Sequence, residues 1–415
     1  MKRAVALLVA LAMTTAAQAQ TIAITGGTVY PVSGPKMAGG TVLLRDGNIL
    51  AVGPNLTVPD GAVRVDATGR WVTPGLIHLR TTLGLKLFDS GGQEETEEDA
   101  VTGEIKAAFN VVDGLNPASI TIPVARMEGI TSAVAAPAGG LIPGQAALID
   151  LTGDQVDKML VKAPVAMMAD LSQGGKESGG GSRAGAVLRL RRVLRDALEY
   201  AERREDFRRA QIQPLAATAA DLEALQPVLR GELPLFVIAN RRSDIESALR
   251  LAREFKLRIA IYGGVEAWQA APALAAAQVP VMLEPLSDVP SFDALGARLD
   301  NATLLRAARV SVVAAQSDAA HFRDLRQAAG NEVRNGMSWE DALRTVTLAP
   351  AEVALVADRY GSLDAGKVAN VVVWSGDPLE LSSRVEHLFI RGREVPLVSR
   401  QTELLERYRR LPPAY

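Results

Sequence analysis

The chain of 415 residues has no cysteine, only three histidines and only 4% aromatic residues. Without cysteine there are no disulfides, thiolate zinc sites, iron–sulfur clusters or thiol nucleophiles. Three histidines leave little imidazole for acid–base chemistry or metal ligation. Few aromatic rings argue against a pocket that stacks sugars or bases. Charge of one sign is lacking too, since 45 Lys and Arg face 47 Asp and Glu for a formal net charge of -2. That balance gives no electrostatic reason to expect nucleic acid as a partner. No apolar run reaches the ~18 residues of a bilayer-spanning helix, so no membrane association is expected once the amino-terminal segment is removed.

That amino-terminal segment reads as an export signal. Met1-Lys2-Arg3 is a short basic region, Ala4 to Met13 is an apolar run, and Ala17-Gln18-Ala19 is a small-x-small cleavage pattern. The pattern predicts a signal peptide over residues 1–19, cleavage after Ala19, and a periplasmic or secreted protein. A cysteine-free chain suits an oxidising compartment without depending on it.

The mature chain falls into three regions. Residues 20–73 carry short β-rich segments broken by turn residues such as Asp46-Gly47, a hairpin signal. From 74 to 364, short apolar runs alternate with helical patterns; Ile130 to Ala136, Leu235 to Ala239, Arg258 to Tyr262, Val279 to Leu283 and Val310 to Ala315 are examples. Such alternation predicts a parallel sheet covered on both faces, and its length suits an eight-stranded barrel. Residues 365–396 return to strand pattern, and 397–415 read as a polar helix and tail. Neither flank buries a core alone, so the two are expected to pair. The predicted fold is therefore α/β: a (β/α)8 TIM-like barrel with a small composite β-sandwich domain formed by both chain ends.

Val72-Thr73-Pro74-Gly75-Leu76-Ile77, preceded by Ile24-Thr25-Gly26-Gly27-Thr28-Val29-Tyr30, resembles the opening of the amidohydrolase superfamily, in particular its imidazolonepropionase-like branch. Gly140-Leu141-Ile142-Pro143-Gly144-Gln145, Thr347-Leu348-Ala349-Pro350-Ala351-Glu352 and Gly361-Ser362-Leu363-Asp364-Ala365-Gly366-Lys367 extend the likeness in the expected order. The resemblance implies a metal-dependent hydrolase of C–N bonds in small amides or peptides. Its metal centre, at the carboxyl ends of the barrel strands, would use two histidines two residues apart on strand one, histidines on strands five and six, and an aspartate on strand eight.

This chain departs from that pattern. The strand-one positions are Arg80 and Thr82, strand five offers Asn240, and strand six offers Gly263, or Tyr262 if the register slips by one. Only the strand-eight aspartate, Asp318, is retained. Arg80 has no acceptor lone pair, and Thr82 and Asn240 are weak neutral donors, so no metal cofactor is expected. His78 and His321 are further pocket candidates, and His387 reads as structural. Lys162 and Lys176 are candidates for a carboxylated lysine, and Arg80 is expected to pair with Asp318 in place of the cation. The acidic run Glu94 to Asp99 and the Gly-rich segment Gln173 to Ser182 read as loops, the second as a mobile one at the barrel mouth, and the arginine-rich stretch Arg183 to Arg209 as a salt-bridged surface helix.

Two readings follow. In the first, the chain is a pseudoenzyme, a non-catalytic subunit or binding protein for a small molecule, paired with an intact homologous amidohydrolase or with itself. In the second, it is an active hydrolase of non-peptide or dipeptide C–N bonds, with zinc or another divalent metal held at an atypical site around Asp318.

Overall fold

The computed structural model describes residues 20–88, 94–97, 99, 103–209, 215–287, 289–316 and 324–409, so the segment 1–19 expected to be an export signal lies outside the described residues. Asp46 and Gly47 both take positive φ, 52° and 80°, and pair Arg45 with Asn48 across a two-residue hairpin. Two positive-φ residues are what this turn needs, which is why Asp-Gly occupies it. The hairpin lies in an eight-stranded sheet fed by both chain ends. Strands Ile22–Val29, Met37–Arg45, Asn48–Pro54, Val63–Asp66 and Trp71–Pro74 join Val371–Trp374, Val385–Ile390 and Arg393–Glu394, with the ends meeting where Trp71–Pro74 pairs antiparallel with Val371–Trp374. Ile24, Val42, Val72, Val373 and Phe389 form its buried core.

The second eight-stranded sheet makes the barrel. Its strands are β1 (Leu76–Thr81), β2 (Ile130–Ala135), β3 (Gly144–Asp150), β4 (Leu160–Asp170), β5 (Leu235–Ala239), β6 (Ile259–Gly263), β7 (Val281–Leu283) and β8 (Val312–Ala314), and their spatial order is their chain order. Alternate residues split between two cores, as side chains on a strand must. Ile77, Leu148, Met168, Phe236, Tyr262 and Met282 fill the interior. Leu76, Met167, Val237, Ile261 and Leu283 pack outward beneath the helices. The sheet is nearly closed. Helix Leu348–Val353 touches both β8 and β1, and the Ile77 N–H donates to the Val346 carbonyl across 2.9 Å.

One strand differs from the expected parallel barrel. β3 runs antiparallel to β2 and β4, whereas the other neighbouring pairs are parallel. A parallel return needs a crossover of a dozen or more residues. The connection from Ala135 to Gly144 is shorter, has no helix, and turns at Gly139 and Gly140, both with positive φ. Two local expectations also change. Gln173–Ser178 is helical, not a loop, and Ser182 caps the next helix, Arg183–Glu202, by accepting from Gly185 N at 3.0 Å. Asp99, from the acidic run, pairs with the buried Lys106.

Because β3 is reversed, its carboxyl end lies at the floor of the barrel, and Asp150 sits there fully buried. Its Oδ1 accepts from Ser132 Oγ at 2.7 Å and Asn370 Nδ2 at 3.1 Å; its Oδ2 accepts from the Tyr360 hydroxyl at 3.0 Å and Arg391 Nε at 2.6 Å. Barrel, the turn after helix Leu348–Val353 and the terminal sheet therefore meet on one carboxylate. Arg326, also buried, makes a second joint: it donates to Glu128 at 2.8 Å and to the Pro378 carbonyl at 3.1 Å, and lies over Trp374.

Removing one member of a buried, hydrogen-bonded ion pair leaves the other uncompensated and typically costs about 3–5 kcal/mol. Asp150→Ala is expected to lose stability on that scale in urea unfolding. A loss of about 1 kcal/mol or less would show that the joint holds little.

Candidate functional site at the barrel mouth

Charged and polar residues gather where the apolar strands end. Asp170 is the last residue of β4, Asn240 follows β5, Gly263 ends β6, and Glu284 follows β7. Carboxyl ends of parallel strands are where this class of fold carries its chemistry. Asp170, Asn240 and Glu284 continue the inward alternation of Met168, Ile238 and Met282.

β1 reaches the mouth through a bulge. Leu79 faces the interior, and His78 pairs with Ala133 of the outer layer, so His78 points away from the barrel lumen. The register against β2 shifts between His78 and Thr81, and Arg80 takes φ 54°. An extra residue in a left-handed conformation re-aims the side chains near it. Arg80 thereby lays its guanidinium over the Tyr262 ring, 4.2 Å from the centroid. The Tyr262 hydroxyl donates to Glu284 Oε1. Burial alone would lower the Arg80 pKa, but Tyr262, Glu284 and Asp170 outweigh it and the net shift is upward. Burial is also the main reason that the Tyr262 phenol is held well above its usual range. The guanidinium is thus a fixed cation and the phenol a fixed donor.

The remaining sequence candidates divide. Thr82 is partly buried, and its Oγ1, like Arg80 Nε, is a buried polar atom without a hydrogen-bond partner. Gly263 has φ 88°, and a Cβ built there would overlap Asn240 Oδ1. The Asn240 amide therefore fills the space a side chain at 263 would need. Asp318 and His321 lie outside the described residues, as does the expected pairing of Arg80 with Asp318. Lys162 sits near the start of β4 and donates to the Ala354 carbonyl at 3.2 Å, at the opposite end of the barrel from the mouth. Lys176 lies on helix Gln173–Ser178. His387 pairs with Glu394 at 2.6 Å in the terminal sheet. Among the described residues no three His, Asp or Glu side chains are grouped as metal ligands.

Sequence reasoning passed over Glu284, Asp170 and Asp293. The first two carried a signal, a lone carboxylate ending an apolar strand. Asp293 carried none, because only the fold brings it to Arg183 and places Arg241 Nε 2.8 Å from its carbonyl. Asn240, Gly263, Glu284, Ser291 and Asp293 help to line a cavity of about 220 Å³.

Two outcomes test this geometry. Gly263→Ala is expected to destabilise the protein by about 1–3 kcal/mol through positive-φ strain and the overlap with Asn240. In an Asn240→Ala background the penalty should shrink toward the roughly 1 kcal/mol of strain alone; equal penalties in the two backgrounds would disprove the packing relation. His78 is fully buried, both ring nitrogens lack partners, and burial depresses its pKa from 6.5 to about 4. Between those values the unfolded chain binds more protons than the folded one, so His78's contribution is intact above pH 6.5 and is lost as pH falls toward 4, by on the order of 3 kcal/mol. Urea unfolding at pH 7.5 and 4.5 should show a smaller acid loss in His78→Leu than in wild type.

Comparison with known proteins agrees with this architecture. The amidohydrolase family profile matches residues 299–395. An amidohydrolase structure from Thermotoga maritima superposes with a TM-score of 0.82 at 27% identity, covering 90% of this chain and 99% of that one. The amidohydrolase tasK of Hapsidospora irregularis is 23% identical over 388 residues, 85% of this chain but only 39% of that longer protein. A 46-residue stretch is 48% identical to imidazolonepropionase of Methylobacterium nodulans, covering 11% of this chain and 12% of that protein. The chain is therefore similar to amidohydrolases, in its profile over residues 299–395 and in the fold of nearly its whole length.

Proposed function

We propose that the chain is an exported amidohydrolase-family protein without a catalytic metal centre, acting as a binding protein or as a non-catalytic subunit beside an intact homologue or a second copy. One observation carries this reading: at a position where the family resemblance expects a metal-ligating histidine, Arg80 lays its guanidinium over Tyr262. A guanidinium offers no lone pair, keeps its charge, and repels a divalent cation. It also gives Glu284 and Asp170 the nearby positive charge that a metal would otherwise supply. Asn240 and Thr82 add only neutral oxygen donors, and Gly263 has no side chain. A catalytic zinc site wants three imidazole or carboxylate ligands, and this donor set does not fit one.

What such a mouth can do is bind. Tyr262 orients Glu284, the guanidinium lies over the Tyr262 ring, and the cavity beside them is open to a small molecule. In this reading the sheet from both chain ends closes into a small sandwich around the Ile24, Val42 and Phe389 core and steadies the approach to β1. Export rests on the segment Met1 to Ala19; in addition, no helix among the described residues is long and apolar enough to cross a membrane.

Metal analysis of purified mature protein tests the reading. Well below 0.1 equivalent of zinc or manganese per chain is expected. Close to one tightly held equivalent, lost in Asp318→Asn, would overturn it in favour of an active C–N hydrolase built around Asp318.

A further inference from the structure

The cavity at the mouth has a one-sided chemistry. Among the described residues its charged lining side chains are Glu284 and Asp293, with no Lys, Arg or His. Each carboxylate is anchored through one oxygen: Glu284 Oε1 accepts from Tyr262, and Asp293 Oδ1 from Arg183. The other oxygen of each accepts no hydrogen bond among the described residues. The arginines stand behind these carboxylates: Arg80 lies over Tyr262, Arg183 is shared between Asp293 and the buried Asp244 at 2.9 Å, and Arg241 stands 3.4 Å from the same Asp293 Oδ1, away from its other oxygen. Asn240 and Ser291 add an amide and a hydroxyl, and Val265, Val289 and Ala294 make an apolar wall.

From this lining we propose that the cavity takes a small organic monocation bearing N–H donors, of the alkylammonium class. Its charged end would donate to the unpaired oxygens of Glu284 and Asp293, and its short apolar body would lie on Val265, Val289 and Ala294. A carboxylate or phosphate would meet two anions there, and a neutral amide would forgo the charge-assisted bonds. The volume, about 220 Å³, holds on the order of seven water-sized groups, which limits the ligand to a compact amine. The inference rests on the proposed function only in taking the mouth as a binding site.

Calorimetric titration of the purified protein with n-butylammonium, butyramide, butyrate and Zn²⁺, each alone, tests it. Butylammonium should bind at least tenfold more tightly than butyramide, and butyrate should give no binding heat. Glu284→Gln and Asp293→Asn should each weaken butylammonium at least tenfold. Ser291→Trp, at an exposed rim position, should block the cavity while leaving the charges in place, so the result survives if a carboxylate variant fails to fold. Equal binding of butyramide or butyrate, binding indifferent to Ser291→Trp, or Zn²⁺ occupying the site in competition with the amine would overturn the proposal. The metal content of the same preparation separates the two ideas. Metal-loaded protein that still binds butylammonium through Glu284 refutes only the missing metal centre, and metal-free protein that binds none refutes only the amine site.

Discussion

Four donors from three parts of the chain converge on the carboxylate of Asp150, which has no exposure to water. A buried charge is tolerated only where its lone pairs are used, so this arrangement fixes how β2, the segment after β8 and the terminal sheet sit together. It exists because β3 is reversed. An antiparallel strand delivers its last residue to the floor of the barrel, where a parallel strand delivers its first. The Gly139-Gly140 turn, which forces the reversal, therefore also determines how the two ends of the chain are tied to the barrel.

The opposite end of the barrel is organised by a different balance of charge. Arg80 is a cation without a hydrogen-bond partner at Nε, held by the face of Tyr262 and by the fields of Glu284 and Asp170. The ring offers a negative face to the guanidinium, and its hydroxyl, kept protonated by burial, donates to Glu284. One aromatic side chain thus links a cation to an anion. The segment Ser291 to Ala294 then brings a second carboxylate, Asp293, with arginines of its own. The fold shared with the Thermotoga maritima amidohydrolase covers 90% of the chain, while the side chains at its mouth follow a chemistry of their own. Fold kinship fixes where a site lies and leaves open what it does.

Much of the framework could be read from sequence. Apolar runs such as Leu235 to Ala239 and Val281 to Leu283 are strands because they are short, continuous and bounded by polar residues, as strands buried on both faces must be. The Asp46-Gly47 hairpin was legible for a local reason, since few residue pairs accept positive φ twice in succession. The reversal of β3 was harder to see, because apolar pattern carries no direction. Likewise His78, a pocket candidate by sequence, shares parity with Arg80, and an unbroken strand would turn both to one face; the register shift between His78 and Thr81 breaks that parity, and His78 faces the outer layer.

The sequence by itself determined much of the strand pattern, the family resemblance and the identity of Arg80, Thr82, Asn240 and Gly263 at the positions that resemblance singles out, because each follows from residue identity or short-range pattern. Tertiary structure alone decided what surrounds those residues. Glu284 lies 204 positions from Arg80 and Asp293 lies 110 from Arg183, and no local rule couples residues so far apart. They meet because parallel strands end at one face and the loops after them share one rim. The scarcity of histidine announced that this mouth is unusual; only the fold showed that a guanidinium, a phenol and carboxylates stand there.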